Sequence, residues 1–222
     1  MAQGDPRARE LVSFVEALQR DLIRERALRL GAVWRWFPAH ADGDAVIVYD
    51  PEAPGEKALE RFVFPRQKET PQRCIADWVA PAGGPLDSIA MLCVTAGPGV
   101  RERAERWKAE GEYLRSHALQ ALALEAAEGL AEYLHKRIRE AWGIPDREGL
   151  TMRETFQGAY RGVRVSFGYP ACPDLADQAK LFRLLSPGDV GVSLTEGFMM
   201  DPEASVSALV FHHPEARYFD AR

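Results

Sequence analysis

The apolar positions of the first thirty residues repeat with the period of a helix. Leu11, Phe14, Val15, Leu18, Leu22 and Leu28 recur at helical spacing, which predicts an amphipathic helix over 7–30 with Gly31 as its stop. The period then shortens. "AVWRWF" and "AVIVYD" are strand-like runs separated by the turn-rich "PAHADGD", and together they predict a hairpin. "RFVFP" and "SIAMLCVTA" add two strand candidates, joined by "ETPQRCIADWVAP", which is expected to be a compact surface connection. A helical period returns from Arg101 to Trp142. Leu114, Ala118, Leu122, Ala126, Leu130, Leu134 and Ile138 form a four-residue stripe expected to pack on a sheet, and the length of the run predicts a break near Gly111 or Ser116.

Beyond the "GIPDREGL" connection, "TMRE" at 151–154 has the spacing of a capping box and predicts a short helix. Asp174 is placed to cap the helix "LADQAKLFRLL", with "SPGD" as its stop. The segments "GVSLTE", "SVSALVFHH" and "RYFD" read as strands. No repeat, low-complexity tract or interdomain linker is evident. The pattern therefore predicts one α+β unit over 1–222, with an N-terminal helix (1–30), a body (31–222) and helices packed on an antiparallel sheet.

Composition narrows the function classes. A chain of 222 residues that is 46% hydrophobic and 27% charged can bury a core without cross-links. Its net charge of −5 argues against a nucleic-acid partner. The basic residues of "RERAERWKAEGEYLR" alternate with acids, as on a solvated helix face. No apolar run approaches the roughly 20 residues that span a bilayer, and the N-terminus lacks the layout of a secretion signal, so no membrane partner is expected. Cys74, Cys93 and Cys172 form no C-x-x-C pair, which points to free thiols in a reducing, cytoplasmic setting.

The densest candidate chemistry lies in "RVSFGYPACPD", residues 164–174. Arg164 offers a planar fork suited to a carboxylate, Gly168 permits close backbone approach, and Tyr169 adds an aromatic face. Pro170 and Pro173 fix φ on either side of Ala171–Cys172. Such a loop suits a small zwitterion carrying a flat ring; it equally suits a structural turn whose arginine is spent in a salt bridge. Cys172 precedes a helix, a position that suits a nucleophile, yet no His or Asn stands in a telling position, and packing is the plainer role. His212 and His213 would point to opposite faces of a strand and so cannot easily share a metal. The glycines of "TAGPGV" can cradle a phosphate or simply turn the chain. Dinucleotide, P-loop, zincin and serine-hydrolase motifs are all missing.

This loop and two later stretches carry a resemblance. "YRGVRVSFGYPACPD", "KLFRLL" and "SLTEGFMMDPEASVSALVFHHPEARYF" resemble, in order and spacing, the activation domain of cobalamin-dependent methionine synthase, whose loop reads R-P-A-P-G-Y-P-A-C-P. The likeness is strongest over about 157–219 and extends more loosely through "LAEYLHKRIRE", "CIADWVAP" and "GAVWRWFPAHADGD". It implies a curved, mainly antiparallel α+β fold that binds S-adenosylmethionine without a Rossmann sheet. It also implies a role in reductive remethylation of cob(II)alamin, with cobalamin on a partner module and an electron from flavodoxin or another reductase. Residue by residue, it places ligand-binding roles on Arg164, Ser166, Gly168, Tyr169, Glu128 and Tyr218, and no catalytic or metal-binding residue. Val165 and Phe167 stand where the family has prolines, Gly197 where it has a serine, and Ala208 where it has a glycine. The family's N-terminal segment with a binding aspartate has no counterpart among these residues, and no D-x-H-x-x-G supplies a cobalt ligand. A docking or scaffold subunit of a cobalamin methyltransferase, without the ligand, is the alternative the resemblance allows.

Overall fold

The computed structural model describes residues 5–221. Helix α1 (Pro6–Arg24) opens with Asp5, whose carboxylate accepts from the Arg7 N–H, and with Pro6 in the first turn, where its missing N–H costs nothing. It ends six residues short of the expected limit: Arg26 turns to φ +50° and the Ala27 N–H donates back to the Leu22 carbonyl. Gly31, expected as a helix stop, opens a strand instead. A Cβ there would lie 3.0 Å from Val190 Cβ, so the position favours a residue without one.

Strand β1 (Gly31–Asp42) pairs with β2 (Ala45–Tyr49) in the expected hairpin, but the turn is only Gly43–Asp44. The proline of the supposed turn sits inside the strand. β1 pairs with its other neighbour up to Ala39 and with β2 only from Ala39 on, so Pro38 precedes the second ladder. β3 (Ala58–Val63) and β4 (Asp87–Thr95) follow as expected. The segment between them is not a surface connection. Cys74, Ile75, Ala76, Trp78 and Val79 are all buried in a single 3-10 turn. Asp77 holds it by accepting from the Cys74 N–H and from both arms of Arg66.

Helix α2 (Val100–Ala109) and helix α3 (Tyr113–Ala141) are separated at Gly111, φ +85°. The apolar residues α3 buries are Ala118, Leu119, Ala123, Ala127, Ala131, Leu134 and Ile138, so the expected stripe holds at Ala118, Leu134 and Ile138, whereas Leu114 is exposed and Leu122 and Ala126 are half-buried. At about 3.6 residues per turn, a strict four-residue step advances roughly 40° each time and winds off the contact face over six steps. The alanines let the helix axis approach the sheet. Helix α4 (Met152–Phe156) has its capping box, with Thr151 and Glu154 bonded reciprocally. β5 (Val163–Val165), α5 (Gln178–Leu185), β6 (Ser193–Leu194), β7 (Met200–Asp201) and β8 (Ser205–Phe211) complete the chain. Asp174 caps the 3-10 turn that leads into α5. "RYFD" forms no strand; its Phe219 packs on Trp78, ring centres 5.6 Å apart.

The main sheet runs β3-β2-β1-β4-β8-β5, every neighbour antiparallel. One face buries Phe37, Met91, Cys93, Leu209 and Phe211 against Trp78 and α5. The other buries Ala90, Leu92, Val94, Val206, Ala208 and Val210 against α3. A third cluster joins α1, α2 and the start of α3 through Leu18, Leu22, Trp107 and Leu119. This is the α+β arrangement expected of the sequence. No helix among the described residues is long and apolar enough to cross a membrane.

Candidate functional site

Gly162 sets the position of the edge strand. Its φ is +88°, and a Cβ there would lie 2.6 Å from the Phe211 carbonyl oxygen, so only glycine lets the chain turn this close to β8. β5 then alternates. Val163 and Val165 face the core with Phe211 and Leu209, and Arg164, opposite Val210, faces α3. Helix α3 meets it with two carboxylates four residues apart on one side. Arg164 Nη1 donates to Glu132 Oε2 at 2.6 Å, and Nη2 donates to Glu128 Oε2 at 3.1 Å. These carboxylates hold the Arg164 guanidinium charged against a substantial burial penalty, and its pKa stays above the ordinary value.

Behind this pair lies a buried polar chain. The Tyr160 hydroxyl donates to Glu132 Oε2 at 3.2 Å. The Tyr160 ring meets His135 edge to face and lies 3.7 Å under the Arg139 guanidinium. Arg139 in turn clamps Asp146 with Nε and Nη2. Burial pushes the Tyr160 phenol up to about 12. Burial, then the Arg139 and Arg164 charges, hold the His135 imidazole well below its usual range. Its two nitrogens, Glu132 Oε1 and Arg139 Nη1 are buried without a hydrogen-bond partner.

His135 should therefore mark the pH profile of stability. Its folded pKa lies below the unfolded value of about 6.5, so at higher pH both states are neutral. As pH falls below about 6.5 the unfolded chain takes up a proton that the folded chain refuses, and stability drops by up to about 1.4 kcal/mol per pH unit. Urea midpoints between pH 7 and pH 5 should fall less steeply in His135→Leu; parallel slopes would contradict the assignment.

The loop after β5 is fixed by its own backbone. Gly168, at φ +89°, donates to the Cys172 carbonyl, and the Cys172 N–H donates to the Tyr169 carbonyl, both at 2.8 Å. Phe167 is buried and stacks on Phe62 with ring centres 6.1 Å apart. Where the resemblance has a proline, this loop is pinned by packing instead. Ser166 sits half-buried between two core residues, and Tyr169 is exposed. Tyr218 also turns its ring to solvent while its hydroxyl donates to the Arg164 carbonyl at 2.6 Å, and desolvation of that hydroxyl raises its pKa.

Arg164, Glu128 and Tyr218, distant in sequence, thus meet on one face with the Ser166–Gly168–Tyr169 loop directly beside them. Glu128, Tyr169 and Tyr218 leave that face open to solvent rather than sealed. Glu132, Tyr160, His135 and Arg139 were not among the expected site residues. Their signal in the sequence was the helical spacing of Glu128 and Glu132 and of His135 and Arg139.

Cys172 and the histidine pair are placed otherwise than the rival chemistries need. Cys172 is buried and its thiol is pushed up to about 12, by burial first and then by Asp177 and Asp174, the reverse of an activated nucleophile. Cys172→Ser should leave any ligand affinity unchanged and cost about 1 kcal/mol of stability; loss of binding with an intact fold would reinstate the thiol. His212 and His213 lie past the end of β8 rather than within a strand. His212 Nε2 is 2.8 Å from Asp87 and the ring rests on Trp142, while His213 Nδ1 accepts from the Glu215 N–H. No metal-holding cluster occurs among the described residues. Gly97 of the glycine-rich turn is a packing residue, since a Cβ there would come within 2.5 Å of Pro202.

The family described as "Vitamin B12 dependent methionine synthase, activation domain" matches residues 2–222. The chain belongs to this family. Methionine synthase of Mycobacterium tuberculosis is 36% identical over 231 residues, an alignment that covers 98% of this chain and 19% of that protein. Methionine synthase of Mycobacterium leprae is 32% identical over 85% of this chain and 16% of that protein. The activation domain thus spans under a fifth of the length of these relatives. Its fold matches the crystal structure of the MetH reactivation domain bound to AdoHcy with a TM-score of 0.91 at 32% identity, over all of this chain and 73% of that one.

Proposed function

We propose that this activation domain, one unit over 1–222, binds S-adenosylmethionine in the cytoplasm and presents its methyl group for reductive remethylation of cob(II)alamin in methionine synthase. The observation that carries this reading is the convergence of Arg164, Glu128, Tyr169 and Tyr218 on one open face. A guanidinium and a carboxylate side by side match an amino acid's carboxylate and ammonium. Two exposed tyrosines and the Ser166–Gly168 backbone can hold a nucleoside. The solved relative was bound to AdoHcy, the demethylated form of the proposed ligand. An open face lets a large partner reach the sulfonium, which a sealed pocket would forbid. When docked, the neighbouring module's cobalamin would receive the methyl group, with an electron from flavodoxin or another reductase. The residues of this chain bind and orient the ligand, and none is needed as a nucleophile.

One observation favours the alternative of a ligand-free docking subunit: both arms of Arg164 are already paired within the chain. Titration calorimetry with AdoHcy separates the two. The proposal expects saturable one-to-one binding; absence of binding heat together with an unchanged thermal midpoint would favour the docking role.

A further inference from the structure

The two carboxylates on Arg164 differ in a way that suggests a division of labour. Glu132 is three-quarters buried, makes the shorter bond and is itself held by the Tyr160 hydroxyl. Tyr160 is fixed between His135 and Arg139, and Arg139 is anchored by Asp146. Glu132 is thus the outer end of a braced interior structure. Glu128 has a side chain 58% exposed and makes one longer bond, to Nη2. An exposed ion pair of that kind is weak and opens readily. The buried arm of the guanidinium is therefore fixed, and the outer arm carries an exchangeable partner.

Resting on the ligand reading above, we infer that Glu132 is a positioning residue and that the Arg164–Glu128 bond opens to admit the ligand's amino-acid end. The ligand carboxylate replaces Glu128 on Nη2, and Glu128 turns to the ligand ammonium. One internal ion pair becomes two intermolecular ones, so no charge is left unpaired. Glu132 keeps Nη1 throughout and prevents the long side chain from swinging away, which lowers the ordering cost on binding. A zwitterion is then favoured over a simple carboxylate, which would take Nη2 and leave Glu128 facing only solvent.

The test is a set of calorimetric titrations on the intact chain and its Glu132→Gln and Glu128→Gln variants. The ligands are AdoHcy, its analogue lacking the α-amino group, and 5′-methylthioadenosine, which has no amino-acid end. Glu132→Gln should weaken AdoHcy about tenfold, as expected for loss of a charge-assisted brace, and leave methylthioadenosine nearly unaffected. Glu128→Gln should weaken AdoHcy but not the des-amino analogue. A Glu132→Gln variant that binds AdoHcy as the parent does, or that loses AdoHcy and methylthioadenosine equally, overturns the positioning role. A Glu128→Gln variant that binds AdoHcy more tightly makes Glu128 a mere competitor and overturns the exchange. If the parent chain binds none of the three, the ligand reading itself falls, and this inference with it.

Discussion

Arg164→Ala is expected to weaken AdoHcy and S-adenosylmethionine by roughly 10- to 150-fold, the equivalent of about 1.5–3 kcal/mol for a hydrogen bond to a charged group. The guanidinium is a cationic fork that faces α3 at the convergence of Glu128 and Tyr218. Its loss also strands Glu132, whose Oε1 is already buried without a partner. A buried carboxylate left with only Tyr160 for company should lower the thermal midpoint as well. Arg164→Lys should recover part of the stability but little of the affinity. A compact ammonium can satisfy Glu132 or a ligand carboxylate, but it lacks the planar fork that reaches both. An unchanged dissociation constant in Arg164→Ala would remove Arg164 from the site.

The largest effect on stability is expected from Gly162→Ala. An L-residue in the left-handed region costs about 1–2 kcal/mol before any contact is considered. Here the added methyl also meets the Phe211 carbonyl at 2.6 Å, and that oxygen belongs to the last residue of β8. Backbone in a paired strand cannot yield as a flexible side chain can, so β5 must shift. A total loss of about 3 kcal/mol corresponds to a fall of roughly 6–12 °C in the thermal midpoint of a chain this size. Because Arg164 is two residues along the displaced strand, ligand affinity should fall with it. A midpoint within about 2 °C of the parent, well short of that fall, would show that the close approach is not required.

Much of this architecture was legible because local chemistry and tertiary packing agree. The capping box at Thr151, the break at Gly111 and the runs that became β2, β4 and β8 each state their conformation in a few residues. The failures arose where packing overrode local signals. "PAHADGD" contains turn residues, yet the ladder to β4 carries the strand through Pro38. "CIADWVAP" has the look of a loop, yet Asp77 and Arg66 turn its apolar side chains inward. The stripe on α3 holds at its C-terminal end, where Leu134 and Ile138 are buried on the sheet with Ala126 and Leu130 beside them, but it missed Ala123, Ala127 and Ala131, because alanines say little by themselves.

The candidate site is a different case. Arg164, Ser166, Gly168, Tyr169, Glu128 and Tyr218 were named through a resemblance, and the fold brings Arg164, Glu128 and Tyr218 into contact. Composition alone left Arg164 open between ligand and salt bridge, and the structure shows the salt bridge. Glu132 could not be ranked above the other acids of α3 from sequence, because its distinction lies in Tyr160, whose contact with it depends on how β5 crosses the helix.

The most direct measurement is an NMR titration of the isotope-labelled chain with AdoHcy, following the Arg164 Nε–H, the Gly168 and Tyr169 amides and the Tyr218 ring. The account predicts that these signals, with those of residues 128–132, shift most and saturate together, while α1 and α2 stay still. A cavity of about 280 Å³ on another part of the molecule, lined by Gly97, Arg101, Lys108 and Pro202, provides the contrast. Shifts centred there, with Arg164 and Tyr169 unmoved, would contradict the proposed site.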